Sequence, residues 1–301
     1  MFHLSLSSKE LFHSNLLAWL AEDPDTRELF VEVLKLFGLE DLQAKKLADG
    51  IRGNEYMVLR EYKNFDFCIC EKLKNWKEDS DEEYVPGQVV LVLENKFKSI
   101  PYEAQLTGYE EKVEDLNKEG MKNKKKSWYW KENNVMPQKW SDNFYKGEQI
   151  DKVGCHFVLL TLNKEVCGLQ QTDNGGKKCC GKWPVVSYKE YAEVLRKDET
   201  IKKFKHEIIC DYADYVDKFC KCIDTKLQDL KLKKNWKEVL CPDPDLRAIR
   251  MDDIWQKLVA NIILKRLRIA GVGKVVIYPA AVRPSAVRCA RISRRVWRIR
   301  G

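Results

Sequence analysis

Glu94-Asn95-Lys96 closes the apolar run Val89-Val90-Leu91-Val92-Leu93, so a buried strand ends by presenting a carboxylate and an ammonium two residues apart. Alternation along a strand puts Glu94 and Lys96 on one face and turns the Asn95 side chain to the other. A second carboxylate, Asp66, interrupts Phe65-Asp66-Phe67-Cys68-Ile69-Cys70. A carboxylate is costly to bury there unless it has metal, hydrogen bonds or exposure. Two carboxylates on neighbouring strands beside a lysine are the groups needed to hold a hard divalent cation and cut a phosphodiester. Asp66 and Glu94 are the metal-ligand candidates, with a backbone carbonyl near Lys96 as a further donor. The cation expected is Mg2+, with Mn2+ as a substitute. Lys96 either orients or deprotonates the attacking water, or offsets charge on the phosphate oxygens. Taken alone, a Glu-x-Lys at a strand end is a solvated edge.

Gln105 and Tyr109 lie four apart on the segment after Lys96 and share a helical face. Gln105 is a candidate to hold the water or Lys96, and Tyr109 to touch a substrate phosphate, although an ordinary amphipathic helix explains the pair equally well. Arg60 and Lys63 precede Asp66 and are candidate phosphate contacts, with solvated strand charge as the plain reading of Lys63. The basic run Lys122–Lys126, followed by Trp128, Tyr129 and Trp130, would let Lys124 and Lys125 touch a nucleic-acid backbone while the aromatics stack on bases.

These residues need elements to position them. Residues 9–37 read as helical, interrupted by Asp23-Pro24-Asp25 and ended by Gly38. Ser7 or Ser8 would cap the first helix, and Glu10 would sit in its first turn, where a carboxylate is favoured. Strands follow over Tyr56–Tyr62, Phe65–Glu71 and Gln88–Phe97, then a helix over Tyr102–Glu119, a Lys-rich polar loop and a strand over Cys155–Leu162. This order gives an α/β fold with a mixed sheet. From Ser187 onward, helices are expected over 187–197, 199–224 and 245–269. The expected units are a core over 1–185, a helical extension over 186–269 that packs on the core or forms a small lobe, and a basic tail over 270–301.

The net charge of +8 is concentrated: residues 265–301 hold 11 Lys or Arg and no acid, leaving the rest at −3. Charge is therefore a poor argument that the main body holds DNA. The tail reads as a nucleic-acid arm, a packed element or a translated artefact such as a terminal frameshift, and no function is built on it. The eleven cysteines are read as reduced thiols. Cys167, Cys179 and Cys180, or Cys220 and Cys222, lack the paired spacing of a structural zinc site. No apolar run reaches membrane-spanning length and the N-terminus lacks a signal-peptide pattern, so a cytoplasmic protein is expected.

Ser8-Lys9-Glu10-Leu11-Phe12-His13-Ser14-Asn15-Leu16-Leu17-Ala18-Trp19-Leu20 resembles the opening of a branch of the PD-(D/E)XK nuclease superfamily found in bacterial genomes. Asp66, Glu94-Asn95-Lys96 and Gln105-x-x-x-Tyr109 follow in that superfamily's order. The resemblance covers residues 5–165 well and extends less distinctly to 269, where Asp245–Lys257 is similar to the branch's later region. It implies a restriction-endonuclease-like core and metal-dependent hydrolysis of nucleic acid, with DNA the expected substrate. It implies Glu10 as an accessory acid from the first helix, Asp66 and Glu94 as metal ligands, and Lys96 as the catalytic lysine, with Gln105 and Tyr109 matching the motif on the helix behind. His13 is either a partner to these groups or a packed imidazole. The competing readings are an inactive nucleic-acid-binding or defence-system scaffold on the same fold, and a helical interaction protein whose motif residues never meet. A homodimer would be a natural route to cutting two strands.

Overall fold

Apolar residues recurring at three-and-four spacing build the first layer. In the computed structural model, which describes residues 11–75, 83–97, 101, 103–133, 136–139, 141, 154–164, 172–174, 177–197, 203–232, 259 and 262, helix α1 covers Leu11–Glu22 and α2 covers Arg27–Leu36. The Asp23-Pro24-Asp25 break is a short 3-10 turn, Pro24–Thr26, in which Asp23 accepts from the Asp25 amide. Gly38, at φ 107°, ends α2, and the Leu39 amide reaches back to the Leu34 carbonyl. A third helix, α3 (Asp41–Arg52), was not expected. It buries Ala44, Leu47, Ala48 and Ile51.

The sheet has seven strands: β1 Tyr56–Tyr62, β2 Phe65–Lys74, β3 Tyr84–Lys96, β4 His156–Thr161, β5 Thr172–Asn174, β6 Lys177–Cys180 and β7 Trp183–Ser187, in spatial order β1-β2-β3-β4-β7-β6-β5. β1, β2 and β3 form an antiparallel meander, whereas β4 and β7 run parallel to β3. The expected α/β class with a mixed sheet is what forms. β5 and β6 were not expected; Cys179 and Cys180 are strand residues paired with Pro184 and Trp183 across a turn in which Gly181 adopts φ 60°.

Helix α4, Glu103–Asn133, crosses from β3 toward β4. It runs on through the segment expected to be a Lys-rich loop, which corrects that expectation. Two contacts explain why the helix continues. A Cβ at Gly120 would lie 2.5 Å from the Gly87 backbone, so the glycine allows close approach to β3 instead of ending the helix. One turn earlier, the buried Asn117 side chain accepts from the Val89 amide at 2.6 Å and donates to its carbonyl at 3.3 Å. The β2–β3 register shifts at this point, between the Ile69–Leu91 and Cys70–Val89 pairs, so Asn117 satisfies peptide groups that the ladder leaves over.

The sheet divides the core. One face packs Phe67, Ile69, Leu91, Leu93 and Phe97 against α1, α2, α3, α5 (Tyr188–Leu195) and α6 (Lys203–Leu232). The other packs Cys68, Cys70, Val92, Phe157, Leu159 and Trp183 against Leu106 and Val113 of α4. Ser187 and Glu190 form a reciprocal cap that starts α5 at the end of β7. Val259 and Ile262, from the expected 245–269 helix, join the first core; the rest of that segment and the 270–301 tail lie outside the described residues. Among the described residues no helix is long and apolar enough to cross a membrane.

Candidate active site

The antiparallel ladder pairs Phe67 with Leu93, which makes Asp66 and Glu94 the next residues out on the two strands. Opposite positions of an antiparallel pair project to the same side at about 5 Å, here the α4 side. The Asn95 amide donates to Asp66 Oδ2 at 2.7 Å. Glu94 is almost fully buried at 1% exposure, and its Oε1 receives Lys96 Nζ at 2.5 Å. Gln105, in the first turns of α4, donates from Nε2 to the same oxygen at 2.8 Å and to the Tyr109 hydroxyl at 3.0 Å. Tyr109 in turn donates to the Asn64 carbonyl at 3.0 Å and sets its ring edge-on to Phe65. Its phenol is pushed up, first by burial, with Glu94 and Asp66 adding to the shift and Gln105 and Lys96 opposing it. Asp66, Glu94, Lys96, Gln105 and Tyr109 therefore converge at one end of β3.

The opposite face anchors the same strand. The Asn95 side chain turns away, as alternation requires, and accepts from the Tyr188 hydroxyl at 2.5 Å. His13 is buried against Phe97 and Tyr188, with Nδ1 2.6 Å from the Tyr212 hydroxyl. It is the packed imidazole of the two readings, one layer behind the cluster.

Arg60, Lys124 and Lys125 separate from this centre. Arg60 pairs with Phe67 across the ladder, shares its face, and donates to Asn15 Oδ1 of α1 at 2.5 Å. Lys124 binds Glu71 Oε1 at 2.6 Å and lies over the Trp128 ring. Nineteen residues of helix separate Gln105 from Lys124, roughly 28 Å of axis, so Lys124 and Lys125 sit toward the other end of β3. Glu10 precedes α1 outside the described residues. Cys220 is buried and Cys222 exposed on α6, and among the described residues no group of three or more His, Cys, Asp or Glu could hold a metal.

Two neighbours carried no sequence signal. Thr161 lies beside Lys96 on β4, 3% exposed, and its hydroxyl has no hydrogen-bond partner among the described residues. Lys112 donates to the Lys63 carbonyl at 2.7 Å. Thr161 reads as an ordinary strand end between leucines, and Lys112 as surface charge on a helix.

The donor set suits a hard cation. Two carboxylates leave most positions of an octahedral ion to water and phosphate oxygens, which is how Mg2+ is usually held. On the same strand as Asp66, hydrogen bonding to Cys70 and then burial push the Cys68 thiol far up, which disfavours a thiolate donor there.

A family model described as the PD-(D/E)XK nuclease superfamily matches residues 1–214. No curated protein and no solved structure matches the chain.

Proposed function

Because this chain belongs to the PD-(D/E)XK nuclease superfamily, whose fold is restriction-endonuclease-like and whose substrates are nucleic acids, we propose that it is a Mg2+-dependent nuclease that hydrolyses DNA. The observation that carries the reading is the meeting of Asp66, Glu94 and Lys96 on one face at the end of β3, with Gln105 on Glu94 and the Asn95 amide on Asp66.

Asp66 and Glu94 would hold the ion, with Mn2+ able to replace it. When bound, the ion supplies charge to the phosphorane-like state and acidifies a water. Lys96, an ammonium in contact with a carboxylate, supplies a donor and a positive charge for the phosphate oxygens. Gln105 fixes the Glu94 carboxylate, so its oxygens need no reorganisation when charge develops. Glu10, which precedes Leu11 in the sequence, is assigned the accessory acid that the family pattern implies. Tyr109 is assigned the phosphate contact; its hydroxyl, which accepts from Gln105 and donates to the Asn64 carbonyl, would exchange that donation for a phosphate oxygen. Arg60 and Lys125 are left to the flanking DNA backbone, away from the scissile bond. The reading expects a cytoplasmic protein acting on DNA, and a homodimer would present two such centres to opposite strands.

The test is cleavage of supercoiled plasmid, linear duplex, single-stranded DNA and RNA by the full chain in Mg2+ or Mn2+. Asp66→Ala and Lys96→Ala are expected to lose at least about 100-fold in rate, within the range that electrostatic and acid–base groups supply, while remaining folded. Equal cleavage by wild type and both variants, or cleavage by a mock purification, would sink the assignment. A folded wild type that binds DNA without turnover would move the protein to the inactive-scaffold reading.

A further inference from the structure

The turn that delivers Asp66 is strained. Lys63 and Asn64 connect β1 to β2 with φ 53° and 69°, and Glu61 just before them has φ 53°. Positive φ at both central residues matches the twist of a two-residue hairpin, but it is the left-handed region that a lysine rarely adopts. Contacts from outside the hairpin can offset that cost at Lys63.

Helix α4 holds it by both central carbonyls. Tyr109 donates to the Asn64 carbonyl at 3.0 Å, and Lys112 donates to the Lys63 carbonyl at 2.7 Å. Residues 109 and 112 are three apart, so they lie on one helical face. Between the turn and Asp66 stands only Phe65, fully buried, with Lys112 Nζ 5.8 Å above its ring and the Tyr109 ring 5.3 Å from it. Among the described residues Lys112 makes no ion pair; its charge is spent on a peptide carbonyl, a charge-assisted bond stronger than a neutral one. The same helix, one turn earlier, holds Glu94 through Gln105. One helix thus reaches Glu94 through Gln105 and the turn that precedes Asp66 through Tyr109 and Lys112.

We propose that Lys112 is a positioning residue that, by holding the Lys63 carbonyl, fixes the β1–β2 turn and with it the carboxylate of Asp66. The consequence for metal rests on the proposed role of Asp66 as a ligand; the positioning itself does not.

The test compares the full-length wild type with Lys112→Met, which keeps the stem over Phe65 and removes the donors, and with Lys112→Arg, which restores a donor. The first readout is hydrogen exchange of the Asn95 amide without metal, since that amide reports where Asp66 sits. Peptides from α3 serve as the control for global loosening. The second readout is Mn2+ affinity by calorimetry. Lys112→Met is expected to speed Asn95 exchange about 10-fold and weaken Mn2+ binding about 10-fold, in line with the loss of a group that orients a ligand. Lys112→Arg should stay near wild type and α3 exchange should not change. Tyr109→Phe, which removes the other tie, should also speed Asn95 exchange, and it decides the question should Lys112→Met fail to fold. Asn95 exchange within twofold of wild type in the folded variants, or acceleration shared equally by α3, overturns the proposal. A wild type whose Mn2+ binding is absent or indifferent to Asp66→Ala overturns the metal reading and leaves the exchange experiment to judge Lys112.

Discussion

The Asn95 amide donates to Asp66 Oδ2 at 2.7 Å, so the peptide that immediately follows one carboxylate of the cluster holds the other. The Asn95 side chain meanwhile accepts from Tyr188 on the opposite face of the sheet. One residue thus ties the cluster to the helical layer behind it, and the position of Asp66 is linked to the packing of α5.

The two glycines of α4 should respond in opposite ways to alanine. Alanine is favoured over glycine in a helix interior by about 1 kcal/mol. A Cβ at Gly108 meets nothing within 4 Å, so Gly108→Ala should stabilise the protein by roughly that amount. At Gly120 the added atom would lie 2.5 Å from the Gly87 backbone. Gly120→Ala should destabilise by about 1–3 kcal/mol despite the better propensity. Urea denaturation of both variants checks the signs, and a stabilised Gly120→Ala protein would mean that α4 does not lie on β3 as described.

Glu190 should contribute acid sensitivity. Burial raises its carboxyl, but Lys164 at 2.6 Å and the Ser187 cap together outweigh that and hold it below the ordinary value. A depressed folded pKa means the contribution is present above the unfolded value, near 4.5, and is lost as pH falls through the lower folded value. The difference in melting temperature between wild type and Glu190→Gln should be constant from pH 7 to about 5.5 and shrink below about 4.5. A difference that grows toward acid would contradict the cap.

Thiol reactivity should follow burial. Cys222 is exposed on α6, whereas Cys68, Cys70, Cys179, Cys180 and Cys220 are buried, and burial pushes the Cys220 thiol up to about 12. Among the described cysteines, iodoacetamide at pH 8 should label Cys222 first, with Cys68 and Cys220 modified only on unfolding. Peptide mapping over time reads the order, and early labelling of Cys68 would place β2 at the surface.

Much of the centre was legible because strand alternation is a strong local rule. It puts Glu94 and Lys96 together and sends Asn95 to the other side. The four-residue spacing of Gln105 and Tyr109 worked for the same reason. What escaped depends on partners distant in sequence. Gly120 looks like a helix stop, yet its bare Cα serves contact with Gly87, so the lysines after it were misread as a loop. Helix α3 does carry apolar residues at 44, 47, 48 and 51, but two of the four are alanines and the signal is faint. The strands β5–β7 are only three to five residues long, too short for alternation to mark them. The ladder register, which sets Arg60 on the face of Phe67 and beside Asn15, depends on strand pairing that no local pattern carries.

Anomalous diffraction from crystals of the full chain grown in saturating Mn2+ tests most directly whether the two acidic side chains share one cation. The account predicts a peak about 2.1 Å from an oxygen of Asp66 and an oxygen of Glu94, with the Lys96 amine beside it. Well-ordered Asp66 and Glu94 with no peak between them would contradict it.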